Sequence, residues 1–450
     1  MSRTGADLAP VLVLPTVKRL VTERGVARGA GIDSRNDPPA PRPPVSGPVG
    51  VRRGTRRGDL PPVETRRSAD SAAAVLRAVL DHGPIARSSI ARVTRLSAAT
   101  VTGVAASLME RGLIREAPEA AGPPGIGRPH VPLDLAADAV AVIGVHVAVP
   151  RTTVALLDLR GRIIAQRRDP HDGRDPASVL PALAGRIAAL RRRHGGRRRI
   201  LGLGVATGGW VDTANGTVVE HPFLGWRDVP VGAALAEATG LPVRVDSNSR
   251  ALLSAEQLFG AVAGRARESA VHLFAGNVVD VAFAAGGVVH QGPRSAAGAV
   301  AHLPVEGCAE LCPCGRVGCL QAAVSERALV RRARAAGLID RPEINDLVDV
   351  AATGHPEAIA LLRERARLVG RAAALLLDLF DPDVLVVAEA GANRLPASLA
   401  TLRAEVAAGS SAGVDVLATV HPSSFPGNVL AVAGGAVALH QVYAASPALS

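Results

Sequence analysis

Cysteine is scarce in this chain of 450 residues, and its four copies are confined to residues 308–319. Disulfides distributed to staple a fold are therefore excluded, and the clustering instead favours a metal site in a reducing compartment. Long apolar runs are also lacking, because the N-terminal stretch at residues 8–17 is interrupted by Pro10 and Pro15. No segment approaches the roughly 18 apolar residues of a membrane-spanning helix. We therefore expect a cytoplasmic protein without a membrane partner.

Acidic residues are outnumbered, since 51 Lys and Arg face 40 Asp and Glu and leave a formal charge of +11. Residues 1–68 hold thirteen of the basic and six of the acidic side chains, so most of the excess belongs to this segment. Its Pro-, Gly- and Arg-rich composition predicts a disordered tail, because apolar burial could not offset the entropy of ordering. Its functional interpretation is an electrostatic arm on DNA; a solvated leader is the simpler interpretation and is favoured.

A change of pattern at Ala69 predicts the start of the ordered chain. Residues 69–81 place apolar side chains on one helical face, and a Gly-Pro pair follows them. A second helix is predicted from residue 88 to about 94, with Ile90 and Val93 facing the core.

A third helix follows, capped by Ser97 and ended by Gly112. Residues 113–115 start a strand, and a Gly- and Pro-rich loop leads to a return strand. Three helices followed by two strands are the order of a winged helix-turn-helix, which we assign to residues 69–135.

The third helix would fit the major groove of DNA, and the loop between the strands would reach the neighbouring backbone. Hydroxyl and guanidinium side chains around it could contact phosphates or base edges. A small helical bundle that mediates dimer contacts is the alternative interpretation. The helix has few base-reading side chains, and Gly103 occupies its exposed middle. The candidate DNA contacts are Arg87, Arg92, Arg95, Ser97, Thr100, Thr102 and Arg128.

Strands and helices alternate in the remainder of the chain, residues 136–450. Three successive strands are followed by helices, among them one predicted at 231–239 and a long one at 356–380, before a buried strand at 384–388. This alternation predicts a fold of two α/β lobes.

Three passages give the chain a specific resemblance. They are HGPIARSSIARVTRLSAATVT with GRPHVPLDL, GLGVATGGWVDTANGTVVEHPFLGWRDVPV and GPRSAAGAVAHLPVEGCAELCPCGRVGCL. On these passages the chain resembles the ROK family of sugar-responsive repressors and sugar kinases, in the arrangement where a winged helix precedes a two-lobed, actin-like (ribonuclease H-like ATPase) domain. The resemblance implies binding to a double-stranded DNA operator as a homodimer or dimer of dimers, and a hexose or related effector between the lobes.

The last passage matches the structural zinc loop of the family, in which one His precedes C-x-C-G-x-x-G-C. Three thiolates and one imidazole would close a tetrahedral shell around zinc and leave no position for a substrate water, so the site is structural. Free buried thiols are the alternative, and Cys308 is a spectator or a substitute ligand. The implied ligands in the loop 302–319 are His302, Cys312, Cys314 and Cys319.

The phosphate-binding motifs of the family kinases are altered. The first, D-x-G-G-T, falls on residues 146–150, where His146 replaces the carboxylate and Val149 adds a side chain. The second falls on residues 276–280 and contains Asp280, whose charge would repel a nucleotide. The glycine pair expected after the late strand reads Ala388-Glu389.

The sugar-binding motifs are altered in parallel. The Asn-Asp pair of the family, which supplies the general base, falls on Ser247-Asn248, and a carboxamide cannot accept the hydroxyl proton. Ala299 replaces a sugar-binding carboxylate, and the Glu expected after the last zinc ligand is replaced as well. The polar side chains left as candidate ligand contacts are Ser247, Asn248, His302 and Gln321.

These features favour a non-catalytic transcriptional regulator, with repression as the expected sign. Two alternatives remain open: a protein-docking regulator that senses no small molecule, and an ATP-dependent sugar kinase. Two further features have a functional and a simpler interpretation. His221, near Trp226, could line the cleft, or Trp226 and Phe223 could simply pack under a loop. The arginine-rich residues 191–199 could touch DNA or form a solvated helix end, which is favoured.

Overall fold

The computed structural model describes residues 63–120, 131–149, 151–171 and 173–444, and the side chains from Asp70 onward. All of these residues lie in one compact unit, 61–450. The first helix, α1, begins at Val63, six residues before the predicted start of the ordered chain. The expected disordered tail falls, up to residue 62, outside the described residues. Within the described ranges no helix combines the length and the hydropathy needed to cross a bilayer.

The N-terminal module consists of three helices and two short strands. Its elements are α1 (Val63–His82), α2 (Arg87–Thr94), α3 (Ala98–Glu110), β1 (Ile114–Glu116) and β2 (Leu133–Leu135). The strands pair antiparallel, with Ile114 opposite Leu135.

Local signals explain where α3 begins and ends. The Ser97 side chain accepts a hydrogen bond from the backbone N–H of Thr100, as an N-cap does. Gly112, at φ +66°, stops the helix. Ile90 is buried as predicted, but the inward placement of Val93 was wrong. Its side chain is 51% exposed, because the eight residues of α2 turn only one narrow face to the core.

The first lobe contains a five-stranded sheet in the order β10-β6-β3-β4-β5 and a three-stranded antiparallel sheet, β7-β8-β9. In the larger sheet β3 pairs parallel with β6, and β6 with β10, whereas β4 and β5 are antiparallel. Its elements are β3 (Val140–Val147), β4 (Arg151–Leu157), β5 (Ile163–Pro170), α4 (Pro176–His194), β6 (Arg199–Thr207), β7 (Trp210–Asp212), β8 (Thr217–His221), β9 (Trp226–Val229), α5 (Val231–Thr239), β10 (Val243–Ser247) and α6 (Asn248–Phe259).

The second lobe contains a sheet in the order β13-β12-β11-β14-β15, in which β14 is parallel to both of its neighbours. The predicted long helix and the buried strand after it are confirmed as α11 and β14. The elements are α7 (Ala263–Glu268), β11 (Ser269–Ala275), β12 (Val279–Ala285), β13 (Val288–Val289), α8 (Leu320–Val324), α9 (Glu326–Ala335), α10 (Ile344–Ala352), α11 (Pro356–Phe380), β14 (Val384–Ala388), α12 (Ala390–Arg394), α13 (Pro396–Gly409), α14 (Val416–Thr419), β15 (Val420–Pro422) and α15 (Val429–Tyr443).

Helix α15 returns from the second lobe and packs on the sheet of the first through glycines on both surfaces. A Cβ atom on Gly144 of β3 would lie 2.3 Å from the backbone nitrogen of Gly435. A Cβ atom on Gly204 of β6 would lie 2.2 Å from the carbonyl oxygen of Gly434. No side chain fits between these backbones, so the helix and the sheet are in direct backbone contact.

The N-terminal module shares a hydrophobic core with the first lobe. Leu76 of α1 and Leu108 of α3 belong to the same buried cluster as Leu157 of β4 and Leu439 of α15. Polar contacts surround this core. The Arg267 guanidinium donates to both carboxylate oxygens of Asp81 at 2.6 and 2.8 Å. The Arg77 guanidinium donates to the carbonyl of Gln257 at 3.1 Å and lies 5.5 Å from the centroid of the Tyr443 ring.

The close contact between α15 and the first-lobe sheet predicts that two Gly-to-Ala substitutions have opposite effects on the free energy of unfolding. Gly204→Ala should lower the free energy of unfolding by at least about 1–3 kcal/mol, because the added methyl group must displace backbone. Gly185→Ala on α4 has open space around the new methyl group and should raise it by up to about 1 kcal/mol. Urea denaturation of both variants measures the difference. Equal stability of Gly204→Ala and the unmodified protein would contradict the close packing.

Candidate functional site

Four metal-ligating side chains meet in the loop between β13 and α8. The ligand atoms of His302, Cys312, Cys314 and Cys319 all lie within 4.8 Å of one another. The Cys312 Sγ is 3.7 Å from the His302 Nδ1, and the Sγ atoms of Cys314 and Cys319 are 3.7 Å apart. Cys308 is half-buried and stands outside this group. The sequence therefore identified the cluster correctly, and it could hold a metal ion.

Backbone conformation brings the three cysteines together. Gly315 and Gly318 adopt φ +85° and +82°, which a side chain would strain, and they turn the chain on either side of Arg316. Leu311 and Val317 form an isolated bridge across this turn. The two glycines of the C-x-C-G-x-x-G-C pattern are thus required by the turn itself.

The thiols of the cluster differ in acidity. A hydrogen bond with the Arg316 guanidinium lowers the pKa of Cys314 to about 6, so this group is largely thiolate at neutral pH. Burial raises the pKa of Cys312 to about 11. A bound cation would favour the thiolate form of both groups.

A cavity of about 690 Å³ lies where the two lobes face each other. His146, at the end of β3, lines it with both ring nitrogens lacking a hydrogen bond of good geometry. Burial lowers the pKa of His146 to about 4, although the adjacent Asn248 side chain opposes this, so the imidazole is neutral at pH 7. Asn248, the first residue of α6, and Asn393 also line the cavity, and each has an unpartnered Oδ1. Beside charged side chains such as Arg151 and Arg168, the cleft therefore presents three uncharged groups that lack partners.

The predicted obstruction of the first phosphate motif is consistent with this geometry, because Ala148 and Val149 line the cavity. The position of Asp280 differs from the expectation that it repels a nucleotide in the cleft. Asp280 lines a second cavity of about 390 Å³ that is bounded by residues 302–319, the segment that carries the four candidate metal ligands and that we call the metal loop. Val278 lies between the two cavities and lines both of them, whereas Asp280, in β12, lines only the second. Burial raises the pKa of Asp280 to about 6.

The four predicted ligand contacts are not equally available. The Gln321 Oε1 accepts from the Val279 N–H at 2.8 Å, and its Nε2 donates to the Asn277 carbonyl at 2.6 Å. Ser247 is the N-cap of α6, and His302 belongs to the metal cluster. Asn248 is the one of the four whose polar atom is both buried and unpartnered.

Sequence reasoning missed one charged pair beside the cleft. Glu389 stands where the resemblance led us to expect glycine, and its carboxylate forms an ion pair with Arg365. Both side chains are 1% exposed. The same guanidinium donates to the carbonyls of Val324 and Ala275 at 2.7 and 2.5 Å. The pair fixes α11, α8 and the two central strands of the second lobe at the floor of the cleft.

His221 and Trp226 have different surroundings. The Trp226 indole is buried and donates to the Arg174 carbonyl at 2.6 Å, so it is a packing residue. The His221 ring lines the cleft, and its Nδ1 accepts from the N–H groups of Phe223 and Leu224. Burial lowers the pKa of His221 to about 4.

Five of the seven predicted DNA contacts are exposed on the N-terminal module. Arg95, at φ 58°, joins α2 to α3 and makes no ion pair among the described residues. Arg87 pairs with Glu116 at 2.9 Å. Arg128 lies outside the described residues. The exposed members are Arg92, Arg95, Ser97, Thr100 and Thr102.

Comparison with known proteins identifies the class of this fold and site. The model of the ROK family matches residues 142–428. Because this match covers more than half of the chain, the protein belongs to the ROK family.

Named relatives include regulators from several bacteria. The chain is 36% identical to transcriptional regulator Rv0485 of Mycobacterium tuberculosis over 396 residues, which cover 85% of this chain and 88% of that protein. It is 27% identical to the dual regulator NagC of Escherichia coli over 327 residues, covering 71% of this chain and 80% of that protein.

Two solved structures show the same fold. One is a ROK family transcriptional regulator described as a homologue of Escherichia coli Mlc, with a TM-score of 0.69 and 22% identity, covering 84% of this chain and 97% of that one. The other is a ROK glucokinase from Streptomyces griseus in complex with glucose and AMPPNP. It has a TM-score of 0.58 and 24% identity and covers 66% of this chain and 98% of that one.

Proposed function

We propose that this protein is a DNA-binding transcriptional regulator whose N-terminal module is a winged helix-turn-helix. The observation that carries the proposal is the match to Rv0485, which covers 85% of this chain. That share is larger than the ROK region and all the residues after it, so the match includes part of the N-terminal module. Helix α3 is capped by Ser97 and largely exposed, and such a helix suits insertion into the major groove. Arg92 and Arg95 would contact phosphates, and Arg128 would act from the loop between β1 and β2.

A homodimer is the expected binding form, because one winged helix has too small an interface for tight specific binding and two-fold symmetry duplicates it. Specificity would come from Thr100 and Thr102. The Thr102 hydroxyl already donates to the Ala98 carbonyl at 2.8 Å and keeps its acceptor lone pairs free.

An effector would bind in the interlobe cleft and change the relative population of two lobe arrangements. Relatives named for xylose and N-acetylglucosamine support a sugar-related effector. Neutral His146 and Asn248 suit hydroxyl or amide groups better than phosphate. Helix α6 offers a path to the DNA-binding module, because it begins at Asn248 and its carbonyl at Gln257 accepts from Arg77 of α1.

A protein-docking regulator is the second candidate, favoured by one observation. The large apolar side chains of Leu311 and Val317 are 69% and 62% exposed at the tip of the metal loop, where a partner protein could cover them.

DNA binding is tested by selecting duplexes from a random pool and measuring affinity for the selected site. Thr100→Ala should weaken specific binding by about 1–3 kcal/mol and leave nonspecific binding unchanged. Arg95→Ala or Arg128→Ala should weaken specific and nonspecific binding alike. Each should also reduce the salt slope, the decrease of log affinity with log salt concentration, by about one. Arg244→Ala, an exposed first-lobe variant of equal charge, is the control. If the dimer selects no sequence at moderate salt, the regulator hypothesis fails.

Zinc is the metal that fits the cluster. Zn–S bonds of about 2.3 Å in a tetrahedron place sulfurs about 3.8 Å apart, close to the observed 3.7 Å between Cys314 and Cys319. Bound zinc would fix the loop that walls the second cavity, and with four protein ligands it would take no part in chemistry. We expect about one zinc per purified chain. Cys314→Ser should lose it and melt earlier, whereas Cys308→Ser should retain it. A metal-free and equally stable unmodified protein would remove the zinc assignment.

Sugar kinase activity is not expected. His146 supplies no carboxylate for magnesium, Val149 occupies the phosphate approach, and Asn248 cannot act as a base. Asn248→Asp should therefore remain inactive, because a restored base still meets no positioned nucleotide. A coupled ATP assay with glucose, N-acetylglucosamine, N-acetylmannosamine, fructose and xylose measures this. Turnover by the unmodified protein would overturn the non-enzyme proposal, and turnover by the variant alone would show that the nucleotide site survives.

A further inference from the structure

The turn between α4 and β6 carries a dense group of cations on the first lobe. We call this group the basic ridge. All but half-buried Arg198 are exposed, and exposed His194 lies among them. The ridge consists of Arg191, Arg192, Arg193, Arg197, Arg198 and Arg199.

Few of these charges are neutralised. Arg198 lies 3.8 Å from the carboxylate of Asp138, and Arg199 donates to a backbone carbonyl. The other four guanidinium groups make neither an ion pair nor a hydrogen bond with the described part of the chain. The C-terminal dipole of α4 stabilises nearby cations only weakly. By contrast, Arg331 and Arg332 of α9 pair with Glu310 and Glu364.

The fold places the ridge beside the N-terminal module. The Gly195 N–H donates to the Arg191 carbonyl and the Arg198 N–H to the Gly195 carbonyl, which turns the chain back on itself. Arg199 then donates to the carbonyl of Arg111, the residue that caps the C-terminal end of α3. The ridge therefore adjoins the C-terminal end of α3.

We infer that the basic ridge binds the phosphates of duplex DNA flanking the segment contacted by α3. The inference rests on the proposed DNA-binding function and extends it to a surface of the ROK domain. Arginine matches phosphate geometry through paired donors. Single strands would call for stacking on several aromatic rings and membranes for apolar insertion. Residues 191–199 contain one ring, His194, and no Phe, Tyr, Trp or aliphatic side chain.

The test uses the full chain with Arg191, Arg192 and Arg193 changed together to Ala. Titrations use a duplex selected from the random pool and an unrelated duplex of equal length. Each lost phosphate contact lowers the salt slope by about one, so a decrease of at least about two is expected. At about 0.1 M salt, the affinity of the variant for both duplexes should then be lower than that of the unmodified protein on the order of 100-fold. Near 1 M salt, the affinities of the two proteins should be equal.

The matched control changes Arg331, Arg332 and Arg334 of α9 to Ala, which removes the same charge from the second lobe. It should leave the slope unchanged. Equal losses in both triple variants would mean that net charge acts nonspecifically, and an unchanged slope in the ridge variant would mean that the ridge does not touch DNA. Either outcome overturns the inference. Failure of the unmodified protein to bind DNA is a different result and rejects the proposed function itself.

Two further arms separate a contact from a folding defect. Arg-to-Lys changes at the same three ridge positions keep the charge and should restore most of the slope. Shortening the duplex by about one helical turn, roughly 10 base pairs, on each flank should weaken the unmodified protein and abolish its advantage over the Ala variant. A defect that persists on the short duplex, or that Lys does not rescue, contradicts a flanking phosphate contact.

Discussion

The backbone contact between α15 and the first-lobe sheet is the constraint on which the remaining architecture depends. Gly434 and Gly435 allow the helix to approach β3 and β6 more closely than any side chain would permit. From that position α15 packs against α6 and contributes Leu439 and Tyr443 to the core under α1. One helix that starts after the second-lobe sheet therefore supports the cleft and the N-terminal module together. This arrangement explains why the module packs on the lobe through a shared core.

The interlobe cleft combines an inherited shape with altered chemistry. Kinase relatives of this fold need charge to hold magnesium and phosphate, whereas His146 and His221 here are neutral because burial lowers both pKa values to about 4. Unpartnered Asn248 and Asn393 add donors and acceptors without charge. Leaving these buried groups unpaired is costly, and any group that paired with them would have to meet their hydrogen-bond geometry.

The features that the sequence predicted correctly are governed by local chemistry. Ser97 and Gly112 delimit α3 through interactions within a few residues, and the spacing of Cys312, Cys314 and Cys319 already specifies the metal loop. The features that were missed depend on distant parts of the chain. Neither the engagement of Gln321 with the 276–280 loop nor the position of residues 191–199 beside α3 can be read from spacing, because each contact joins segments brought together by the fold.

The Arg365–Glu389 pair constrains how this protein can change over generations. Both side chains are almost completely enclosed, and removal of either one would leave a buried charge without a partner at a cost of about 3–5 kcal/mol. That loss is a large fraction of the free energy of unfolding of many domains. Substitution at one position is therefore disfavoured until the other has changed, and the two positions should covary among related sequences. The floor of the cleft is thus constrained by a paired charge as well as by packing, a constraint that does not apply to unpartnered lining residues such as Asn248 and Asn393.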